Sequence, residues 1–204
     1  GARADTAAGV VWVRPGARPG ARALSGPLFG ERHSDCAEEI AAKGAEAGAC
    51  VVANDNNVGN VVISGSKAGV DAALAYAKEK SARAIPLNVS APFHSPLMQP
   101  AADAMAAALA KAEIAPFSPP LVANVTAHPV SEPATVRNLL IEQVTGRVRW
   151  RESIEWMSHG GGVSRFVEVG AGKQLTGMVK RNAPDAEAIA LNEPADLEAF
   201  AKSV

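Results

Sequence analysis

The chain has 204 residues, of which 48% are hydrophobic and 20% are charged, and its net charge is -1. This composition is typical of a globular protein, and the near-zero net charge excludes a general attraction to nucleic acid or to anionic membranes. Aromatic residues make up only 4% of the chain, which argues against a base-stacking surface.

The two cysteines and the hydropathy pattern indicate the compartment. Cys36 and Cys50 form neither a disulfide framework nor a CxxC metal pair. No apolar run approaches the ~18 residues that a membrane span requires. We therefore expect a reduced, cytoplasmic protein that binds neither membranes nor nucleic acid.

The first part of the chain, residues 1–36, differs in composition from the rest. It is rich in Arg, Gly, Pro and Ala, and apart from Val10–Val13 it has neither a helical nor a strand period. We expect an irregular leader that is disordered or foreign to the fold. The abrupt change at about residue 36 suggests the hypothesis of a fragment whose leader is read out of frame from GC-rich DNA.

Residues 37–90 have the pattern of a small α/β unit. The predicted elements are a helix at 37–47, strands at 50–54 and 60–65 around the turn sequence DNNVG, a helix at 66–80 and a strand at 82–90. Pro86 places the last strand at a sheet edge or a bulge. This order is most of a ferredoxin-like βαββαβ unit, and Val10–Val13 could supply its first strand through a long connection.

Residues 91–204 alternate between helices and strands. The predicted helices are 95–113, 134–144, 149–160, 172–182 and 194–203, and the predicted strands are 120–126, 164–170 and 187–192. Alternation of this kind predicts an α/β layer with a mainly parallel sheet.

His94 is the strongest candidate for chemistry. It lies between Pro92 and Pro96, which restrict the loop, and directly before Ser95, which has the chemistry of a helix N-cap. The positive end of a helix dipole disfavours a charged imidazolium, and a neutral ring is the form that a general base needs. The alternative is a loop histidine that only caps or packs.

Other chemical motifs receive less support. His33, His128 and His159 show no metal-ligand spacing, so no metal site is predicted. The stretch VEVGAGKQLTG fails both the Walker and the dinucleotide patterns, and its Glu168 is either functional or a helix cap. A histidine base implies a nucleophile, yet no serine of the chain lies in a GxSxG elbow.

Several blocks together resemble the malonyl-CoA:acyl carrier protein transacylase family. They are NDNNVGNVVISG, IPLNVSAPFHSPLMQPAADAM, VANVTAHPVSEP, LLIEQVTGRVRWRESIEWM and FVEVGAGKQLTGMVKR, in the family's order from about residue 37 to residue 200. The resemblance implies an α/β fold, with a ferredoxin-like small subdomain over 37–90 and the C-terminal part of an α/β-hydrolase-like acyltransferase subdomain over 91–204.

The resemblance also implies roles for five residues. His94 corresponds to the histidine that accepts a proton from the nucleophilic serine, and Gln143 to the glutamine that orients this histidine through its carbonyl. Asn54 and Asn56 correspond to a turn that lines the substrate cleft. Phe93 resembles the form that prefers malonyl over methylmalonyl groups. No cofactor is implied, since malonyl-CoA is a substrate.

The family's N-terminal features are absent from the chain. These are the GQGSQ oxyanion segment, the GHSLGEY elbow and the arginine that pairs with the malonyl carboxylate. The implied function is malonyl transfer to acyl carrier protein in fatty-acid biosynthesis by a Ser/His ping-pong mechanism, with the activity of this chain alone in doubt.

Two alternatives to that function stay open. One is an inactive fragment or a non-catalytic remnant that binds acyl carrier protein, and the other is an acyltransferase piece of a polyketide synthase. At full length we expect a monomer. The candidate docking charges for an acidic carrier protein are Arg147, Arg149, Arg151, Lys180 and Arg181, each of which is otherwise a solvated helix residue.

Overall fold

The computed structural model describes residues 8–14 and 27–203. Its strands are β1 (Ala8–Arg14), β2 (Cys50–Asn57), β3 (Asn60–Ser66), β4 (Arg83–Pro86), β5 (Leu121–Val122), β6 (Pro129–Val130), β7 (Arg165–Val169) and β8 (Glu187–Leu191). Its α-helices are α1 (Pro27–Ala45), α2 (Lys67–Glu79), α3 (Gln99–Leu109), α4 (Pro133–Glu142), α5 (Trp150–Glu155), α6 (Gln174–Asn182) and α7 (Pro194–Ala201). By their contacts the residues divide into two units, one up to Trp150 and one from Arg151.

The first unit contains a four-stranded antiparallel sheet in the order β2-β3-β1-β4. Val10–Val13, which the sequence left open as a possible first strand, lies in β1, which pairs with β3 on one side and β4 on the other. The β-branched run of β1 suits this central position. β4 is an edge strand, as Pro86 at its end predicts.

The expected extent of the irregular leader needs correction. The leader predicted over 1–36 is not irregular throughout, because β1 pairs inside the sheet and α1 already begins at Pro27. Residues 1–7 and 15–26 lie outside the described ranges. The division expected between residues 90 and 91 stays a prediction. By contacts the described residues divide between 150 and 151, and Val148 bridges to Asn54 of β2.

Helices α1 and α2 pack against one face of this sheet. Their buried residues form a core with the strands, comprising Val11, Val13, Ile40, Ala41, Cys50, Ile63, Val70, Ala73, Ala77 and Ala82. Leu74 of α2 packs against the same core, so the helix predicted over 66–80 turns one apolar face to the sheet. Small residues let the two helices approach closely: a Cβ on Gly44 would lie 2.6 Å from the carbonyl oxygen of Gly69.

The remainder of the first unit carries short elements. A 3₁₀ turn at Pro96–Met98 leads into α3, and the β5–β6 hairpin precedes α4. The strand predicted over 120–126 is therefore much shorter than expected. After β5 the chain turns through Asn124–Thr126. The Arg149 guanidinium donates to the carbonyl of Thr126 at 3.0 Å. This bond satisfies a carbonyl that a longer β5–β6 pairing would have satisfied.

The second unit contains the parallel pair β7–β8 with helices α6 and α7. The parallel arrangement predicted for residues 91–204 is found in β7 and β8, whereas β5 and β6 pair antiparallel in a separate sheet. The helix predicted over 149–160 is α5 followed by a π-helical turn at Trp156–Gly160, directly before two further glycines. None of the helices in the described ranges combines the length and apolar character needed to cross a bilayer.

Candidate active site

His94 is carried on a tight turn rather than on a helix. Its φ of 55° lies in the left-handed region, which few residues other than glycine adopt. The predicted side-chain cap at Ser95 does not form. The buried Ser95 hydroxyl instead donates to the carbonyl of Pro92 at 2.7 Å, and this bond closes the turn around the histidine.

The imidazole of His94 faces the end of helix α4. Its Nδ1 lies 2.8 Å from the backbone carbonyl oxygen of Gln143 and 3.2 Å from that of Gly146. Gln143 is the C-terminal cap of α4, where the last carbonyls of a helix have no intrahelical partner. The structure thus brings together the histidine and the glutamine that the sequence singled out, through the glutamine's main chain.

This contact determines which ring nitrogen carries the proton. Both oxygens can only accept a hydrogen bond, so Nδ1 of His94 must be the donor. In a neutral ring Nε2 then has a free lone pair and can take a proton from a substrate or a nucleophile.

The acceptor side of the contact is itself fixed. The Asn124 side chain donates from Nδ2 to Oε1 of Gln143 at 3.1 Å, and the amide of Gly146 donates to the carbonyl of Glu142 at 2.8 Å. Space around Gly146 is tight, since a Cβ there would lie 2.8 Å from Cγ1 of Val125 and 2.9 Å from the oxygen of Glu142. Only glycine fits this position without movement.

The segment after Gly146 joins the site to the sheet. The amide of Asp55 donates to the carbonyl of Val148, and the amide of Val148 donates to the carbonyl of Ala53, both at 2.8 Å. The carboxylate of Asp55, which is 1% exposed, accepts from Nη2 of Arg147 at 3.3 Å, and Nη1 of Arg147 donates to Glu38 at 2.8 Å.

Asn54 and Asn56 lie on a strand, not in the turn that the resemblance implies. Both belong to β2, whose register is irregular on either side of Asn54 and Asp55. Asn54 bridges to Val148, and Nδ2 of the Asn56 side chain donates to Oδ1 of Asn60 at 3.3 Å. The Asn/Asp-rich sequence therefore produces a bulged strand end, and the turn itself begins only at Val58. Phe93 is 46% exposed beside His94.

The weaker candidates have structural partners. Nδ1 of His128 lies 2.9 Å from the carbonyl oxygen of Ala127, and Nδ1 of His159 lies 2.9 Å from that of Glu155. The side chain of His33 falls outside the described residues. Within the described ranges no group of three His, Cys, Asp or Glu residues is arranged to hold a metal ion.

Glu168 is a helix cap. Its carboxylate accepts the amide of Leu175 at 3.1 Å and both the amide and the hydroxyl of Thr176 at 2.7 Å, at the start of α6. The Thr176 hydroxyl and amide, followed by the Leu175 amide, hold the pKa of the Glu168 carboxyl below its usual value. Of the two readings left open by the sequence, the structure supports the capping role.

Most of the candidate docking arginines have partners within the protein. Arg147 is paired with Asp55 and Glu38, Arg149 with backbone carbonyls, and Arg151 with Glu155 at 3.0 Å. Lys180 and Arg181 lie exposed in the last turn of α6, where cations are favourable in any helix.

The sequence interpretation missed two features of the site. Gly146 follows the end of α4, where glycine commonly terminates a helix, and this signal could have marked its carbonyl as a helix-end acceptor. The partnership of Asn124 with Gln143 had no sequence signal, because it joins residues on separate elements.

Comparison with known proteins identifies relatives of the chain. No family model matches it. A malonyl CoA-acyl carrier protein transacylase of Bacillus subtilis is 43% identical over 148 residues, which is 72% of this chain and 46% of that protein. The chain thus spans about half the length of the curated relatives it matches.

Solved structures agree with the sequence match. The acyl-carrier-protein-S-malonyltransferase of Bartonella henselae has a TM-score of 0.83 and 41% identity, over 98% of this chain and 59% of that one. A malonyl-transacylase in complex with a type II PKS acyl-carrier protein has a TM-score of 0.82 and 30% identity, over 98% and 60%. The chain is therefore homologous to the malonyl CoA-acyl carrier protein transacylases, of which it corresponds to about half the length.

Proposed function

We propose that this chain supplies the proton-transferring part of a malonyl transacylase centre. In the proposed reaction a malonyl group moves from malonyl-CoA to the phosphopantetheine thiol of acyl carrier protein, in fatty-acid biosynthesis in the cytoplasm. The observation that supports it is the bond from Nδ1 of His94 to the carbonyl of Gln143, 2.8 Å long, in a homologue of the transacylases.

The first half of the proposed mechanism forms an acyl-enzyme. A serine hydroxyl, supplied by sequence other than these 204 residues, attacks the thioester carbon while Nε2 of His94 takes its proton. The C–S bond then breaks, and the leaving thiolate of CoA takes the proton from Nε2. The carbonyls of Gln143 and Gly146 stabilise the imidazolium between these two transfers.

The second half returns the centre to its starting state. Nε2 of His94 takes the proton of the phosphopantetheine thiol, and the resulting thiolate attacks the ester carbon of the acyl-serine. The C–O bond breaks, and the serine oxygen recovers the proton from Nε2. A single base therefore serves both half-reactions, with no net change in protonation.

The other assigned residues take roles beside this base. Phe93, exposed next to His94, is proposed to contact the acyl group and to disfavour a methyl branch. Asn54 and Asn56 are proposed to line the substrate cleft. The bridge from Asn54 to Val148, two residues after Gly146, supports placing them near the histidine.

The fold assignment supports the same function. The order β1-α1-β2-β3-α2-β4 and the sheet order β2-β3-β1-β4 are those of a ferredoxin-like βαββαβ unit. We assign this unit as the small subdomain, beginning at β1 rather than at residue 37. The remaining elements are assigned to an α/β-hydrolase-like acyltransferase subdomain. The full-length protein is proposed to act as a monomer.

A chimera tests the proposed function. Residues 37–204 of this chain replace the matching half of the Bacillus subtilis relative, and malonyl transfer to holo-acyl carrier protein is followed by mass. We expect transfer that falls by about 10²- to 10⁴-fold on His94→Ala, the usual contribution of a positioned base. His159→Ala is the matched control and should transfer normally. Equal activity of the His94→Ala chimera and its parent would contradict the assignment.

A second candidate is carrier-protein binding without turnover. It is favoured by the lack of a GxSxG serine in the chain. We expect the purified chain alone to transfer no malonyl group. Turnover by the chain alone that disappears on His94→Ala would show that it carries its own nucleophile, and binding of acyl carrier protein without turnover would support this second candidate.

A further inference from the structure

We propose that Ser95 is a positioning residue for His94, and that its hydroxyl fixes the tautomer of the imidazole. This proposal rests on the proposed function in one respect: the tautomer of His94 matters because His94 is proposed to act as a base. The Ser95 hydroxyl bonds to the main chain of Pro92. It acts through the turn that carries the histidine.

The first observation is the burial and bonding of the Ser95 side chain. Ser95 is 0% exposed, and its only polar side-chain atom donates to the carbonyl of Pro92 at 2.7 Å. This bond spans three residues and closes the turn, as an amide-to-carbonyl bond does in an ordinary β-turn. A buried hydroxyl with a short bond holds its position more firmly than an exposed one.

The second observation is the backbone of His94 inside that turn. Its φ of 55° is a conformation that a residue with a side chain leaves unless its surroundings hold it there. The Ser95 hydroxyl bond holds one side of the turn, and the amide of Met98, which donates to the carbonyl of Ser95 at 3.0 Å, holds the other. Without the hydroxyl bond, His94 can relax toward a negative φ.

The third observation connects the turn to the ring. Rotation about φ of His94 displaces the imidazole, whose Nδ1 lies 2.8 Å from the oxygen of Gln143 and 3.2 Å from that of Gly146. Hydrogen bonds weaken steeply when distance and angle depart from their optimum. A relaxed turn therefore releases Nδ1, and the ring then takes the Nε2–H tautomer that a free imidazole prefers in water. That tautomer has no lone pair on the nitrogen proposed to act as the base.

The experiment reads the tautomer directly in the full 204-residue chain. The chain is labelled with ¹⁵N-histidine, and long-range ¹H–¹⁵N spectra are recorded at about pH 9, where ordinary imidazoles are neutral. The resonances of His94 are assigned as those missing from His94→Gln. We expect a protonated Nδ1 in the parent chain and a several-fold loss of that form in Ser95→Ala.

Two variants control the result. Ser95→Thr keeps the hydroxyl and should restore the Nδ1–H tautomer. Ser203→Ala removes the same kind of bond elsewhere, since the Ser203 hydroxyl donates to the carbonyl of Phe200 at 2.7 Å, and it should leave the His94 signals unchanged. If Ser95→Ala fails to fold, Ser95→Cys takes its place, because a thiol keeps the volume but donates weakly.

The outcomes separate this proposal from the proposed function. A folded Ser95→Ala or Ser95→Cys chain with the parent tautomer would overturn the positioning role and leave the chimera result untouched. An inactive chimera with the expected tautomer shift would count against the proposed function alone. A tautomer shift in Ser95→Ala that Ser95→Thr reverses would establish the positioning role.

Discussion

Substitution of Gly146 by alanine tests the acceptor side of the histidine contact. The new Cβ would lie 2.9 Å from the carbonyl oxygen of Glu142 and 2.8 Å from Cγ1 of Val125. The valine methyl group can rotate away, but the Glu142 oxygen belongs to the last turn of α4 and already accepts the Gly146 amide. Residue 146 must therefore move away from the helix end.

The size of the movement follows from these distances. An ordinary contact at about 3.4 Å requires a shift of about 0.5 Å. A shift of that size lengthens the Gly146 contact with His94 Nδ1 from 3.2 Å to about 3.7 Å, beyond hydrogen-bonding range. Overpacking costs about 1–3 kcal/mol and a lost hydrogen bond about 0.5–1.5 kcal/mol, so we expect a loss of about 1.5–4.5 kcal/mol in the free energy of unfolding.

Urea unfolding followed by circular dichroism measures this loss in the chain. In the chimera we expect a fall in kcat of about tenfold, which corresponds to about 1.4 kcal/mol, because Gln143 still accepts from the ring. Gly177→Ala is the matched control. Apart from its chain neighbours and the backbone of its own helix, no atom of the described residues lies within 4 Å of an added Cβ, so the substitution should stabilise α6 by about 0.5–1 kcal/mol. A Gly146→Ala chain within about 0.5 kcal/mol of the parent would refute the reasoning.

Three further predictions concern other parts of the fold. Gly44→Ala places a Cβ 2.6 Å from both the Gly69 oxygen and the Cys50 Sγ, and should lower the free energy of unfolding by about 1–3 kcal/mol; an unchanged urea midpoint would contradict the close helix packing. Burial raises the pKa of the Cys50 thiol to about 11, so at pH 8 only about one molecule in a thousand is a thiolate, and mass spectrometry should show alkylation of Cys50 only in denaturant. The lowered pKa of Glu168, caused by Thr176 and Leu175, means that its stabilisation of the fold is complete above the unfolded value of about 4.3 and is lost as the pH falls through the lower folded value. Melting temperatures measured from pH 6 to pH 2 should therefore fall less steeply for Glu168→Gln than for the parent, and parallel profiles would contradict the cap.

Local chemistry allowed much of the fold to be read from the sequence. The helical period of α2, the β-branched runs of β2 and β3, and the strand-helix alternation after residue 164 are properties of neighbouring residues, and the structure contains all of them. Pro86 marked an edge strand because proline lacks the amide that a central strand needs. The Val10–Val13 run has the composition of a strand. The flanking residues, rich in Arg, Gly, Pro and Ala, show no helical or strand period, so the sequence did not indicate that this strand is central to the sheet.

The sequence-based predictions failed for elements whose backbone groups bond to segments that are distant in the sequence. The strand predicted over 120–126 ends at Val122, because the Arg149 guanidinium, which follows more than twenty residues later, satisfies the carbonyls of the turn. The resemblance implied a turn at Asn54 and Asn56, yet both lie in β2, where Asn54 also bridges to Val148. In each case a backbone group found its partner on a segment that no local pattern connects to it.

The sequence by itself determined the kinds of groups available: a proline-bounded histidine, a glutamine near a helix end, and no serine in an elbow. Only the tertiary structure decided that Nδ1 of His94 meets the main-chain oxygens of Gln143 and Gly146, and that the Ser95 hydroxyl closes the turn instead of capping a helix. The physical reason is that a hydrogen bond depends on distances of a few tenths of an ångström between elements. Those distances are set by how the helix, the turn and the sheet pack together, and no periodicity within one segment encodes them.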